Sequence, residues 1–345
     1  MPQSPHHNHR LDWARAIALL AVVVIHTKPF MSSLLINQQP WIGMLMNQLA
    51  RFAVPLFFVI AGYLIQPRLV QSTAITLRSY SRPLLRMWGL WTLLYLLLPF
   101  NLKTLGSEGY LVERSNYWRH LASAPLDSLL EGGMVHLWYI PGLLCALGLT
   151  ALLVNRGWLR WLLPMSLALY LLGLLAGSYQ SLSGIDLGIT TRNGPFFSWL
   201  MFALGFEARR RRWQLSPYTA MAMMLIGMNI HIFEGLALSH FDVDFISHDF
   251  LFGTPLWGMG LFMLLNALPD TDKRLPFKLS SEDVLGIYLC HMLVLIYLFN
   301  LAGMLELSPL LRDVLITPLT CVISWLWVRG IKLTPLQLLV TRQTA

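Results

Sequence analysis

The sequence predicts an all-α polytopic membrane protein of about ten transmembrane helices in one bundle, with both termini on the cytoplasmic side. Three observations predict it. Of 345 residues, 56% are hydrophobic and 12% charged, with mean hydropathy +0.57; a soluble domain carries roughly twice that charge. Ten windows approach the ~20 apolar residues that span a hydrocarbon core: 11–28, 42–65, 83–100, 136–154, 158–176, 195–207, 216–237, 250–268, 284–303 and 309–329. The cations are asymmetric. With the N-terminus inside, Arg10, Arg68, Arg78, Arg82, Arg86, Arg156, Arg160, Arg209 to Arg212, Lys273, Arg274, Lys278, Arg329, Lys332 and Arg342 fall on the inner side. Only Lys28, Lys103, Arg114, Arg119, Arg192 and Arg312 fall outside, and such a bias sets orientation. The net charge of +8 then reflects topology, not a nucleic-acid footprint.

The opening decapeptide MPQSPHHNHR lacks the features of a cleavable signal peptide. Residues 1–10 are expected to be a cytoplasmic tail, 11–329 the membrane domain and 330–345 a second cytoplasmic tail. His6, His7 and His9 read as a polar tail, and no metal site is expected. Cys145, Cys290 and Cys321 all lie within spans, which implies no disulfide framework.

The first span, LDWARAIALLAVVVIHT, holds Arg15 and His26. Eleven helical steps are nearly whole turns, so both project from one face about 16 Å apart, with Asp12 one turn before Arg15. Ionisable groups cost about 2.5–3.5 kcal/mol each in hydrocarbon on insertion scales, so they face a protein interior and mark a pathway or reaction site. In the second span Pro55 is expected to kink the helix. Arg51 stands one turn earlier, snorkelling or lining a cavity, while Ala61 and Gly62 suit close helix contact. Before the third span, LRSYSRPLLRMW places Arg78, Arg82 and Arg86 on one helical stripe. Guanidinium groups in a row suit phosphate oxygens, although plain anchoring predicts the same residues. Arg209 to Arg212 point all round a helix and read as anchoring.

The outer loop 101–135 carries Tyr110, Tyr117 and Trp118 among mixed charges, as a sugar-binding surface or an interfacial belt would. His136 and Tyr139 share a face at the start of the fourth span, as Tyr288 and His291 do in the ninth. Asn193 and Arg192 flank a Gly-Pro turn before the sixth. The loop 238–249, with Asp242, Asp244, Asp249, His240 and His248, reads as a solvated acidic loop.

Taken in order, LDWARAIALLAVVVIHT, VPLFFVIAGYL, HLWYIPGLL, NGPFFSWLMFALG and LGIYLCHMLV resemble the membrane acyltransferase-3 family. Within it they look most like the stand-alone O-acetyltransferases, such as that of enterobacterial common antigen. The resemblance implies a ten-helix bundle in the bacterial inner membrane. Such a bundle moves an acyl group, usually acetyl, from cytoplasmic acyl-CoA to a glycan hydroxyl on the outer side. It maps the central functional pair onto Arg15 and His26 and the donor-binding basic segment onto Arg82 and Arg86, with Arg78 alongside. Ala61 replaces the family's usual Ser, and Ser81-Arg82 replaces its adjacent Arg pair. No esterase-like module follows the bundle, so transfer is expected from this domain alone or with a partner.

Imidazole suits the role of base, or His26 attacks the thioester and carries the acyl group. Arg15, never deprotonated, binds thioester or phosphate, with Asp12 orienting it. Arg51, His136, Tyr139, Asn193, Tyr288 and His291 are the expected acceptor or pore-lining residues. The expected partners are acyl-CoA as donor substrate with no resident cofactor, a glycan or lipid-linked saccharide, the bilayer, and polysaccharide-synthesis proteins or a second copy. The competing reading is a transporter of a glycan or glycolipid using an intramembrane Arg/His relay.

Overall fold

The computed structural model describes residues 9–241, 243–269 and 279–341, and their regular elements are all helices, with no strand among them. His6, His7, Asp242, Lys273, Arg274, Lys278 and Arg342 lie outside the described residues, as does the side chain of His9. In chain order the helices are α1 (His9–Thr27), α2 (Trp41–Leu49), α3 (Ala53–Gln71), α4 (Thr73–Leu97), α5 (Leu102–Glu108), α6 (Tyr110–Ser123), α7 (Pro125–Glu131) and α8 (Tyr139–Asn155). Then come α9 (Leu162–Leu175), α10 (Gln180–Ser183), α11 (Pro195–Arg210), α12 (Pro217–Leu238), α13 (Gly253–Ala267), α14 (Ser281–Met304) and α15 (Pro309–Ile331).

A helix stands over each of the ten predicted windows, but not all are long and apolar enough to cross a bilayer unaided. Trp41–Gln71, Val135–Asn155, Pro217–Phe241, Glu282–Met304 and Pro309–Ile331 are. Thr73–Leu97 with Leu102–Glu108, bent by 46°, makes a sixth if the pair is one broken span. The others fall short for identifiable reasons. Arg10, Asp12 and Arg15 interrupt α1, while α9, α11 and α13 have 14, 16 and 15 residues, about 24 Å or less at 1.5 Å per residue.

Local chemistry starts the helices where it should. Gly194, at φ +70°, ends a loop and Pro195 opens α11. Ser280 and Asp283 form a reciprocal capping box at the start of α14. Ser216 and Ser308 cap α12 and α15, each followed by Pro. Pro55 does not kink the second span from its middle. A 3₁₀ turn at Ala50–Phe52 makes the joint, and Pro55 falls in the first turn of α3, where its missing N–H leaves no bond broken. Packing is closest between α3 and α11. A methyl group on Gly62 would lie 2.0 Å from the Phe202 carbonyl oxygen, and one on Gly205 would lie 1.9 Å from that of Val59. The core around them includes Phe58, Trp91, Tyr95, Trp199, Phe202 and Phe206.

The loop 101–135 is folded rather than open. Glu113 and Arg114 are buried against each other, and Glu113 Oε1 also accepts from the Phe100 and Asn101 amides at 2.8 and 3.0 Å. Burial raises the Glu113 pKa, but Arg114 and the two amides more than offset it, leaving the carboxyl below its ordinary value. The loop aromatics spend their polar tips on this anchoring: Tyr110 donates to the Leu97 carbonyl, Tyr117 to that of Gly133 and Trp118 to that of Leu96. At the other end the chain folds back after α15, so residues up to Thr341 do not trail free. Trp91 Nε1 donates to the Leu339 carbonyl at 2.9 Å, and Val340 is buried against Gly286 of α14.

Candidate active site

Arg15 and His26 of α1 line a single cavity of about 120 Å³ together with His136, Tyr139 and Tyr288. Val22, Val54, Phe57, Trp138, Val284 and Leu285 complete its wall, so α1, α3, α8 and α14 all contribute. Asp12 pairs with Arg15 at 3.3 Å, one turn back on the same helix. His291 stands beside the cavity. Its ring centroid is 5.3 Å from that of His26 and 5.0 Å from that of His136, while His26 and His136 are 6.3 Å apart. Tyr288 packs on His136 at 5.4 Å and on Tyr139 at 5.7 Å, and its hydroxyl donates to the His136 carbonyl.

Backbone carbonyls set two of the three imidazoles. A carbonyl only accepts, so the nitrogen facing it carries the proton. His136 Nε2–H donates to the Leu289 carbonyl at 3.2 Å, and His291 Nδ1–H donates to that of Tyr288 at 2.6 Å. His136 Nδ1 and His291 Nε2 are therefore bare lone pairs on buried rings, and neither has a partner among the described residues. His231 is the contrast. Its two nitrogens meet Thr254 Oγ1 at 2.9 Å and Gln48 Oε1 at 3.0 Å, which is a structural role fully satisfied.

An ionic network adjoins this cluster. Arg51, on the 3₁₀ turn before α3, pairs with Asp249 and donates to the Ile246 carbonyl at 2.6 Å. Asp249 also takes Arg192 at 3.0 Å, and Arg192 takes Glu131 at 2.6 Å. Asn193 donates to Asp127 at 2.7 Å and to Glu131 at 3.1 Å. Burial raises the Asp249 pKa, but Arg192 and Arg51 outweigh it, leaving the carboxyl below its ordinary value. Arg51 donates to Asn47 Oδ1 at 3.3 Å, and Asn47 Nδ2 donates to the Ile25 carbonyl at 3.1 Å, next to His26 in the chain.

The loop before α13 is consequently not the solvated acidic loop its composition suggests. Asp244 caps the turn Phe245–Ser247, Asp249 is held between two arginines, and His248 is 1% exposed. Burial, reinforced by Arg51 against Asp249 and Asp244, lowers the His248 pKa to about 4. Sequence reasoning missed His248, Asp249, Glu131 and Asp127. Their one available signal was the run of acidic residues and histidines in loops, which carries no information about partners 57 to 198 positions away.

The basic stripe stands apart from both groups. Arg78 and Arg82 are exposed on α4, and Arg86 donates to the Thr341 carbonyl at 3.1 Å. No cavity wall described above includes these three residues. Glu207, fully buried, holds Arg210 and Arg211, so part of the Arg209–Arg212 run serves an internal ion cluster rather than anchoring alone. Among the described residues no group of three or more His, Cys, Asp or Glu is placed to hold a metal ion.

Comparison with known proteins adds to this geometry. The acyltransferase-3 family profile, described as an acyltransferase domain, matches residues 8–329. An amino-acid racemase of Enterococcus faecalis is 27% identical over 337 residues, covering 92% of this chain and 45% of the relative. A serine/alanine racemase of Enterococcus gallinarum is 29% identical over 307 residues, covering 82% of this chain and 40% of the relative. The chain thus spans less than half the length of these curated relatives. No solved structure matches.

Proposed function

The chain belongs to the acyltransferase-3 family, and from that premise we propose that it is an acyl-CoA-dependent O-acyltransferase of the bacterial inner membrane. Its acyl group is acetyl. The acceptor is a hydroxyl of a cell-envelope glycan or lipid-linked saccharide on the periplasmic side. The ten helices over the apolar windows span the membrane, several by packing inside the bundle rather than by their own length, with both termini cytoplasmic.

The observation that carries this reading is the cavity shared by Arg15 and His26 with His136, Tyr139 and Tyr288. The exposed guanidinium groups of Arg78 and Arg82, with Arg86, take the phosphates of CoA. The pantetheine arm rises to the cavity, where Arg15, oriented by Asp12, supplies positive potential to the thioester. His26 removes the acceptor hydroxyl proton, the oxygen attacks the thioester carbonyl, and collapse expels the CoA thiolate, which recovers the proton. Transfer in two steps through an acyl-imidazole on His26 uses the same residues. The lone pairs of His136 and His291 accept hydrogen bonds from the acceptor or from water on the path. Arg51 and Asn193 hold the outer network that borders the site. Racemisation is not carried over, because the match covers less than half of the proteins that bear that name.

The test is to incubate membranes with radiolabelled acetyl-CoA and follow label into glycan. Incorporation with the native chain, absent with His26→Ala at equal abundance, supports the reading. No incorporation and no CoA binding by the purified chain would leave the transporter as the better account.

A further inference from the structure

A second cavity, of about 340 Å³, opens on the ionic network. Its wall includes Asp127, Ser178, Gln180, Asp186, Arg192 and His248, and Asp249, the partner of Arg192, also lines it. The cation in this wall is already committed, while Asp127 and Asp186 take only uncharged donors. Arg192 is divided between Glu131 and Asp249, and Arg51 also serves Asp249. Asp127 accepts from the Thr190 amide, the Thr190 hydroxyl and Asn193.

What is left unspent is hydrogen-bonding capacity rather than a free cation. His248 is 1% exposed, and neither of its ring nitrogens has a partner among the described residues. A neutral imidazole offers one donor and one acceptor, which is what a hydroxyl group needs in return. Arg192 Nε–H is likewise buried and unpartnered. Ser178 gives its proton to the Phe250 carbonyl at 3.0 Å and keeps its lone pairs. Asp127 and Asp186 retain acceptor sites, and Gln180 is exposed at the wall. A zwitterion would need an uncommitted cation beside an uncommitted anion, and the cation is lacking.

We propose that this cavity binds an uncharged polyhydroxyl ring, one sugar residue of the acceptor, with His248 exchanging a pair of hydrogen bonds with a ring hydroxyl. This assignment rests on the reading of the chain as a transferase acting on an envelope saccharide.

The experiment is a saturation-transfer NMR titration of the full chain in lipid nanodiscs without acyl-CoA. The probes are methyl β-D-glucopyranoside and N-acetyl-D-glucosamine, with L-serine as the zwitterionic counterpart. At least one sugar is expected to bind. Losing a hydrogen-bond pair from a buried site should weaken it about tenfold or more in His248→Phe. His248→Gln, which keeps a donor and an acceptor, should stay within about threefold. Gln180→Trp, an exposed substitution that narrows the cavity, should also weaken binding, and it decides the matter if His248→Phe fails to fold. Absence of sugar binding, sugar binding indifferent to both His248→Phe and Gln180→Trp, or L-serine binding sensitive to them would overturn the proposal. The two readings fail separately. Sugar binding without acetyl transfer leaves this site standing, whereas transfer without His248-dependent binding removes the site alone.

Discussion

Asp249 stands between two arginines, Arg192 at 3.0 Å and Arg51 on its other oxygen. It ties the loop before α13 to the turn that opens α3, close beside His26. Removing one member of a buried ionic group strands the others. Asp249→Asn should therefore destabilise the bundle by about 3 kcal/mol and lower its melting temperature in detergent. Arg192→Lys, which loses the fork joining Glu131 to Asp249, should cost less. A melting temperature unchanged in Asp249→Asn would mean that the network is a surface feature.

In the proposed reaction His26 is the residue on which transfer depends most. Loss of a positioned base typically lowers rate by 10²- to 10⁴-fold, so His26→Ala should reduce acetyl incorporation at least a hundredfold at unchanged membrane abundance. Incorporation rates normalised to immunoblotted protein measure this. Near-native activity would exclude His26 from either form of the reaction.

Arg82 and Arg86 should separate in their effects. Arg82 is exposed and free to meet a phosphate, so Arg82→Ala should raise the KM for acyl-CoA about tenfold with little change in kcat, the pattern of lost ground-state binding. Arg86 also holds the Thr341 carbonyl, so Arg86→Ala should lower stability as well. Steady-state kinetics and melting curves on both variants make the comparison.

Acidification should loosen the loop 101–135 through Glu113. Its folded pKa lies below the ordinary value, so its contribution is complete above an unfolded pKa of about 4.3. That contribution fades as pH falls through the lower folded value. Melting temperature should drop with acid more steeply in the native chain than in Glu113→Gln. Parallel profiles would remove Glu113 from the account.

Close packing of α3 on α11 gives a prediction without any charge. Gly62→Ala places a methyl group against the Phe202 and Phe206 backbone, where only a shift of one helix can relieve it. Abundance and melting temperature should both fall. Gly148→Ala, which meets nothing within 4 Å, should be neutral, and equal effects of the two would contradict the packing.

Helix positions were legible in the sequence because hydropathy reports burial in lipid and protein alike. For the same reason hydropathy did not say which helices could cross a bilayer alone: α11 is apolar yet short. Arg15 and His26 were legible as a pair because helical periodicity relates residues within one element. His136 with Tyr139, and Tyr288 with His291, were each readable in their own helix. Their meeting, across 153 positions between His136 and Leu289, was not. Pro55 misled because a proline marks a perturbation without saying whether it lies inside a helix or at its start. The loop at 238–249 misled more fully, since composition gives the charge of a side chain and not what it faces.

The brevity of α11 reaches beyond its own packing. Its 16 residues are enclosed by α3, α8, α9 and α13, so lipid never has to match a rod of about 24 Å to a hydrocarbon slab of about 30 Å. A helix walled on four sides by protein need not reach both faces of an apolar layer by itself, because its neighbours α3 and α8 lie in the stretches Trp41–Gln71 and Val135–Asn155 that are long and apolar enough to do so.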